Sequence, residues 1–165
     1  MQYVQHLLEH YRQIRNLNIF AILPSRLLLL VHQQCCMLVA QQLSLPFVYV
    51  RPEPKAHGLG RQVEGMSCQD QSVVLIEDLI STGGSSLRCV EALRQEGARV
   101  LSVIAIFNYG LPSSRTAFEN HQVSLQTLGN FENLLRQATH SFSPEALASL
   151  KAWQENPEAW PTKQG

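Results

Sequence analysis

A chain of 165 residues that is 45% hydrophobic and 16% charged can bury one core and is too apolar to be disordered throughout. A single domain over residues 1–165 is therefore expected. Thirteen basic residues balance thirteen acidic ones, so no basic excess points to nucleic acid. Cys35, Cys36, Cys68 and Cys89 show no Cys-x-x-Cys spacing, and no basic region precedes an apolar run at the start. The thiols read as reduced and the protein as cytoplasmic.

Taken in chain order, Gln2 to Arg15 carries Val4, Leu7, Leu8, Tyr11 and Ile14 at helical spacing. Pro24-Ser25 breaks the chain. Arg26 to Leu43 reads either as a helix or as a short strand, Leu27–Val31, followed by a helix. The apolar run Leu27–Val31 is far too short to cross a bilayer, and no membrane association is expected. His6, His10 and His32 have no acid at metal-ligand spacing and read as packing or surface residues. After Pro46, Phe47–Val50 is β-branched and aromatic, as a strand should be.

Arg51 to Gly65 is polar, with two prolines and three glycines, and predicts a long loop. The spacing then predicts a strand at Val73–Ile76 and a helix at Ser85–Glu96 closed by Gly97. Leu87, Val90, Ala92 and Leu93 form the buried side of that helix. A nearly all-apolar strand follows at Val100–Phe107, and then a helix near Ser113–Glu119, a strand at Val123–Leu128 and a helix at Phe131–Ala138. Ser143-Pro-Glu opens a last helix that ends before Pro157. This alternation predicts a parallel α/β sheet with right-handed crossovers and ligands outside the carboxyl ends of its strands.

Two stretches carry chemistry. In the first, Val73-Val-Leu-Ile76 runs into Glu77 and Asp78, and then into Ser81, Thr82, Gly83, Gly84, Ser85 and Ser86. A small hydroxyl-rich turn at a helix N-terminus offers backbone N–H groups to a phosphate. Carboxylates beside it would repel a bare phosphate but suit ribose hydroxyls or a Mg²⁺-bound diphosphate. The ordinary alternative is a strand-turn-helix junction with a Ser/Thr cap. In the second stretch, Arg51, Lys55 and His57 are potential cations of the Arg51–Gly65 loop, the last two within a Lys-x-His-Gly-x-Gly pattern. A loop of this kind can close over a site, exclude water and place charge on a departing diphosphate.

The first stretch resembles the phosphoribosyl diphosphate (PRPP) motif of type I phosphoribosyltransferases. Together the two stretches resemble orotate phosphoribosyltransferase from about Val39 to Trp160. Phe107-Asn-Tyr-Gly110, Leu125-Gln-Thr-Leu-Gly129, Trp153 and Trp160 add to the likeness. The resemblance implies a parallel-sheet, Rossmann-like type I phosphoribosyltransferase fold with flanking helices. It implies transfer of the phosphoribosyl group of PRPP to orotate, with Mg²⁺ carried by the diphosphate and no direct protein ligand to the metal.

It also implies residue roles. Arg51, Lys55 and His57 would bind the diphosphate and stabilise its departure, from a loop (Arg51–Gly65) that serves the neighbouring subunit of a homodimer. Asp78 and Glu77 would hold the ribose hydroxyls, directly or through water and metal, with Asp78 counted among the catalytic residues. The substrate-binding motif runs on through Leu79, Ile80, Ser81, Thr82, Gly83, Gly84 and Ser85, and its Ser81–Ser85 turn would take the 5′-phosphate.

Several positions depart from the family pattern. Pro52 replaces a lysine of the loop, and Tyr109 stands near the place where many members carry an arginine that contacts orotate. Residues 1–38 lack the family's glycine-containing diphosphate loop, since no glycine precedes Gly58. A divergent homologue, a short form completed by another chain and a shifted reading frame all fit that departure. A non-catalytic PRPP or nucleotide binder and a transferase for another base are the competing functional readings.

Overall fold

A computed structural model describes residues 19–22, 37–51 and 62–160. Among them a six-stranded sheet has the order β3-β2-β1-β4-β5-β6. Its strands are β1 (Ile19–Ile22), β2 (Phe47–Val50), β3 (Val63–Glu64), β4 (Ser72–Ile80), β5 (Arg99–Asn108) and β6 (Ser124–Asn130). All neighbours are parallel except β2 and β3, which pair antiparallel as a two-residue edge. The chain is a mostly parallel α/β fold, as the alternation of elements predicts.

The helices are α1 (Gly84–Gln95), α2 (Pro112–Asn120), α3 (Phe131–Gln137) and α4 (Pro144–Glu155). Residues 37–42 are also helical and lead into β2. Helix α1 buries Leu87, Val90, Ala92 and Leu93, the four residues its periodicity marks, together with Ser86 and Cys89. They pack on Val48, Val50, Val73, Leu75, Val103 and Ala105 of β2, β4 and β5. Burial of such aliphatic side chains contributes about 1.5–3 kcal/mol each before entropy is counted. Gly97 ends α1 with φ +80°, and the bonds Gly97 N–H to Arg94 O and Ala98 N–H to Leu93 O close the turn. At α4, Ser143 accepts from the Ala146 N–H, as the Ser-Pro-Glu start predicts.

Three sequence expectations change. Strand β4 continues past Ile76 to Ile80, so both acids lie within the strand and not beyond it. The apolar count stops at Ile76, but backbone pairing to β5 persists to Ile80 opposite Asn108. The loop after Arg51 returns at Gln62 and gains β3. Finally, β1 occupies Ile19–Ile22, where no strand is expected from the sequence, because a four-residue apolar run has no period of its own. The expected helix Gln2–Arg15 and the ambiguous run Leu27–Val31 lie outside the described residues.

Candidate active site

From β1 the sheet grows to β2 on one side and to β4, β5 and β6 on the other. The crevice at the carboxyl ends of β1 and β4 is therefore the topological switch point, the place where open α/β sheets bind ligands. The turn after β4 lies there. Arg51, at the end of β2, lies one strand further along the same edge.

Glu77 continues the face of Val73 and Leu75, beneath α1, and its carboxyl lies within hydrogen-bonding reach of the neighbouring Asp78 carboxyl. Glu77 is 4% exposed, and Ser86 Oγ donates to its Oε2 at 3.1 Å. Burial pushes the Glu77 carboxyl up to about 9, and the adjacent Asp78 carboxylate pushes the same way; the Ser86 bond only partly opposes them. Asp78 stays half-buried at the surface of the crevice. The two acids are thus unlike: one braces α1 against the sheet, and the other faces the opening. Leu79 is exposed and Ile80 buried.

Ser81 and Thr82 are exposed beyond Ile80. The N-cap of α1 is Gly83 with φ +84°, and no side chain caps the helix. This removes the ordinary reading of the hydroxyls as a Ser/Thr cap and leaves them at the mouth of the turn. Gly83 is required twice over. Its φ lies in the left-handed region, and a Cβ there would come 2.6 Å from the Phe118 ring. Gly84 and Ser85 open the first turn of α1, both exposed. The Arg88 guanidinium reaches back to Ser85 Oγ at 3.3 Å. Sequence reasoning passes over this arginine, and its only signal is the i, i+3 spacing from Ser85.

The root of the second motif is also described. Arg51 N–H donates to Gln62 O at 2.8 Å, and Gln62 Nε2 donates back to Arg51 O at 3.2 Å. The Arg51 guanidinium bonds Glu64 at 2.9 Å in a half-exposed ion pair. The Cys89 thiol of α1 donates to Arg51 O at 3.7 Å, and burial raises that thiol to about 12. Cys68 is also buried and its thiol raised by burial, so neither thiol is a poised nucleophile. Helix α1 therefore begins at the phosphate-type turn and, one and a half turns later, holds the base of the loop. Lys55 and His57 lie outside the described residues.

Tyr109 does not stand open at the strand end. Its ring packs against Phe107 at 5.4 Å, Trp153 at 5.3 Å and Phe131 at 6.0 Å. Arg115 lines a cavity of about 460 Å³ between α2 and β6, with Asn108 and Gly110 at one end. Glu77–Ser85 do not line that cavity, although Phe118, which does, packs against Gly83 of the turn. Among the described residues no three His, Cys, Asp or Glu side chains cluster as a metal site, and no helix is long and apolar enough to cross a membrane.

Over 124 residues, 74% of this chain, the sequence is 48% identical to the orotate phosphoribosyltransferase of Listeria innocua. It is 47% identical over 125 residues to that of Bacteroides thetaiotaomicron. The chain is a homologue of the orotate phosphoribosyltransferases. Its fold also superposes on the orotate phosphoribosyltransferase of Aeropyrum pernix with TM-score 0.68 and 26% identity, covering 82% of this chain and 73% of that one. The UMP synthase of Leishmania donovani shares the fold at TM-score 0.72 and 19% identity, covering 93% of this chain and 32% of that one. No family model matches the sequence. The chain spans 59% of the length of the two bacterial relatives.

Proposed function

We propose that this chain is a single phosphoribosyltransferase domain that transfers the phosphoribosyl group of PRPP to orotate. The products are orotidine 5′-monophosphate and diphosphate, in pyrimidine nucleotide biosynthesis. The observation that carries the reading is the Glu77–Ser85 segment: a strand end with an open Asp78, an uncapped glycine turn and a helix N-terminus, together at the switch point. Sequence identity near 47% to enzymes named for this activity supports it.

In the reaction the bond from ribose C1 to the diphosphate oxygen breaks, and a bond from a ring nitrogen of orotate to C1 forms. Charge moves onto the diphosphate while the sugar gains oxocarbenium character. The turn Ser81–Ser85 holds the 5′-phosphate with N–H groups and hydroxyls, and Arg88 adds charge beside it. Asp78 holds the ribose hydroxyls. Glu77, buried and bonded to Ser86, keeps α1, and so the turn, in register with β4. Arg51, Lys55 and His57 neutralise the leaving group, acting on the neighbouring subunit of a homodimer. Carried on the diphosphate, Mg²⁺ would offset its charge. We place the protein in the cytoplasm.

A second reading, transfer to another base, draws on the Tyr109 ring, which is engaged by Phe107, Phe131 and Trp153 where many relatives present an arginine. Loss of orotate absorbance with PRPP and Mg²⁺, run beside uracil, adenine and hypoxanthine, separates the two. Turnover of orotate alone is expected. Turnover of another base would replace the acceptor, and PRPP binding without turnover of any base would make the chain a binder.

A further inference from the structure

Side chains of α4 end on the backbone beside the turn. Gln154 Nε2 donates to Tyr109 O at 2.6 Å. The N–H of the same Tyr109 donates to Ile80 O at 3.0 Å, and Ile80 is the residue before the turn. Trp153 seats edge-on against the Tyr109 ring at 5.3 Å and packs on Phe131 at 5.3 Å, which fixes α4 over this point. Gly110 adds an independent sign that the fit is close. Its φ is +69°, and a Cβ there would stand 2.9 Å from Gln154 Nε2. Its N–H is tied to Asn108 Oδ1 at 2.8 Å, which holds the strand end in the bend that Gln154 caps.

We propose that Gln154 and Trp153 are positioning residues for the phosphoribosyl site: through Tyr109 they hold the Ile80 carbonyl and so set where the Ser81–Ser85 turn begins. The inference deepens the proposed function and rests on it. The physical basis is that β4 and β5 part company at Ile80 and Asn108, where sheet pairing ends. Beyond that point the turn has no ladder to hold it, and the Tyr109 N–H is the last backbone bond before the exposed hydroxyls. A turn that binds phosphate with backbone N–H groups loses affinity when their directions spread.

The test is calorimetric binding of ribose 5-phosphate to the full chain, with amide spectra of Ser81–Ser85 in the absence of ligand. Gln154→Glu keeps the shape and removes the donor, and it should weaken binding by about three- to tenfold, the range of one net hydrogen bond. The Ser81–Ser85 amides should shift while those of β1 do not. Trp153→Ala should weaken binding similarly, and Trp153→Phe should restore it. Gly110→Ala, which drives a methyl at Gln154, should behave like Gln154→Glu. Should Trp153→Ala fail to fold, Gln154→Glu and Gly110→Ala carry the test. A folded Gln154→Glu that binds as the wild type does, with unshifted turn amides, overturns this proposal alone. A wild type that does not bind ribose 5-phosphate overturns the phosphoribosyl reading and this proposal with it.

Discussion

The turn after β4 and the loop after β2 leave the same edge of the same sheet, but they are held by different physics. The turn is the continuation of a nine-residue strand buried on both faces as far as Glu77. Gly83, Ser86 and the Glu77 carboxyl lock it to α1. The loop hangs between a four-residue strand, itself paired to β1, and a two-residue edge strand, with a half-exposed ion pair and a thiol–carbonyl bond at its base. The contrast suits a division of labour in which the turn recognises a fixed ribose phosphate and the loop supplies charge to a diphosphate that must leave. Preorganised N–H groups lose their value if they move, whereas cations that stabilise only the departing group gain nothing from binding the ground state tightly.

Changes on the two sides should therefore separate. Lys55→Ala should reduce turnover by about a hundredfold or more with little effect on PRPP affinity, as loss of a transition-state contact requires. Steady-state kinetics beside direct PRPP binding will show it, and equal loss in both would erase the contrast. Gly83→Val acts on the other side. A β-branched residue at φ +84°, driven into Phe118, should cost about 1–3 kcal/mol of stability and abolish ribose 5-phosphate binding. Thermal melts and calorimetry would read both, and retained binding would show that the turn tolerates displacement.

Glu77 provides a pH signature confined to the turn. Its folded carboxyl titrates near 9 against an ordinary 4.5, so the native state keeps a proton that the unfolded chain releases. The stability tied to that proton is complete below 4.5, falls as pH rises and is gone by about 9, with a slope of at most about 1.4 kcal/mol per pH unit. Melting temperature should drop from pH 5 to pH 9 in the wild type and drop less in Glu77→Gln. Parallel curves would show that Glu77 is ionised in the fold. The smallest effect belongs to the loop root. Glu64→Gln removes the charge opposite Arg51 and should change stability by less than about 1 kcal/mol, since the pair is half-exposed. A loss of several kcal/mol in chemical denaturation would mean that the root is held as firmly as the turn.

The order of elements, the register-defining apolar runs and the acid-plus-glycine turn are legible in the chain itself. Periodicities of 2 and 3.6 and the turn preference of a Gly-Gly pair are local properties. Where locality fails, so does the reading. Glu77 and Asp78 interrupt the apolar run of β4, and among the described residues its last four positions are held as strand by β5. β1 carries no alternation and is a strand because β2 and β4 flank it.

The sequence alone determined that this protein folds as alternating strands and helices and carries two acids followed by a glycine turn, because each of those depends on neighbours in the chain. Only the tertiary structure decided that the two acids differ, that Arg88 reaches the turn, that Cys89 links the turn's helix to the loop root, and that Tyr109 is a packing residue tied to Gln154. Those facts depend on burial and on contacts between residues up to 45 positions apart, and no local pattern encodes them.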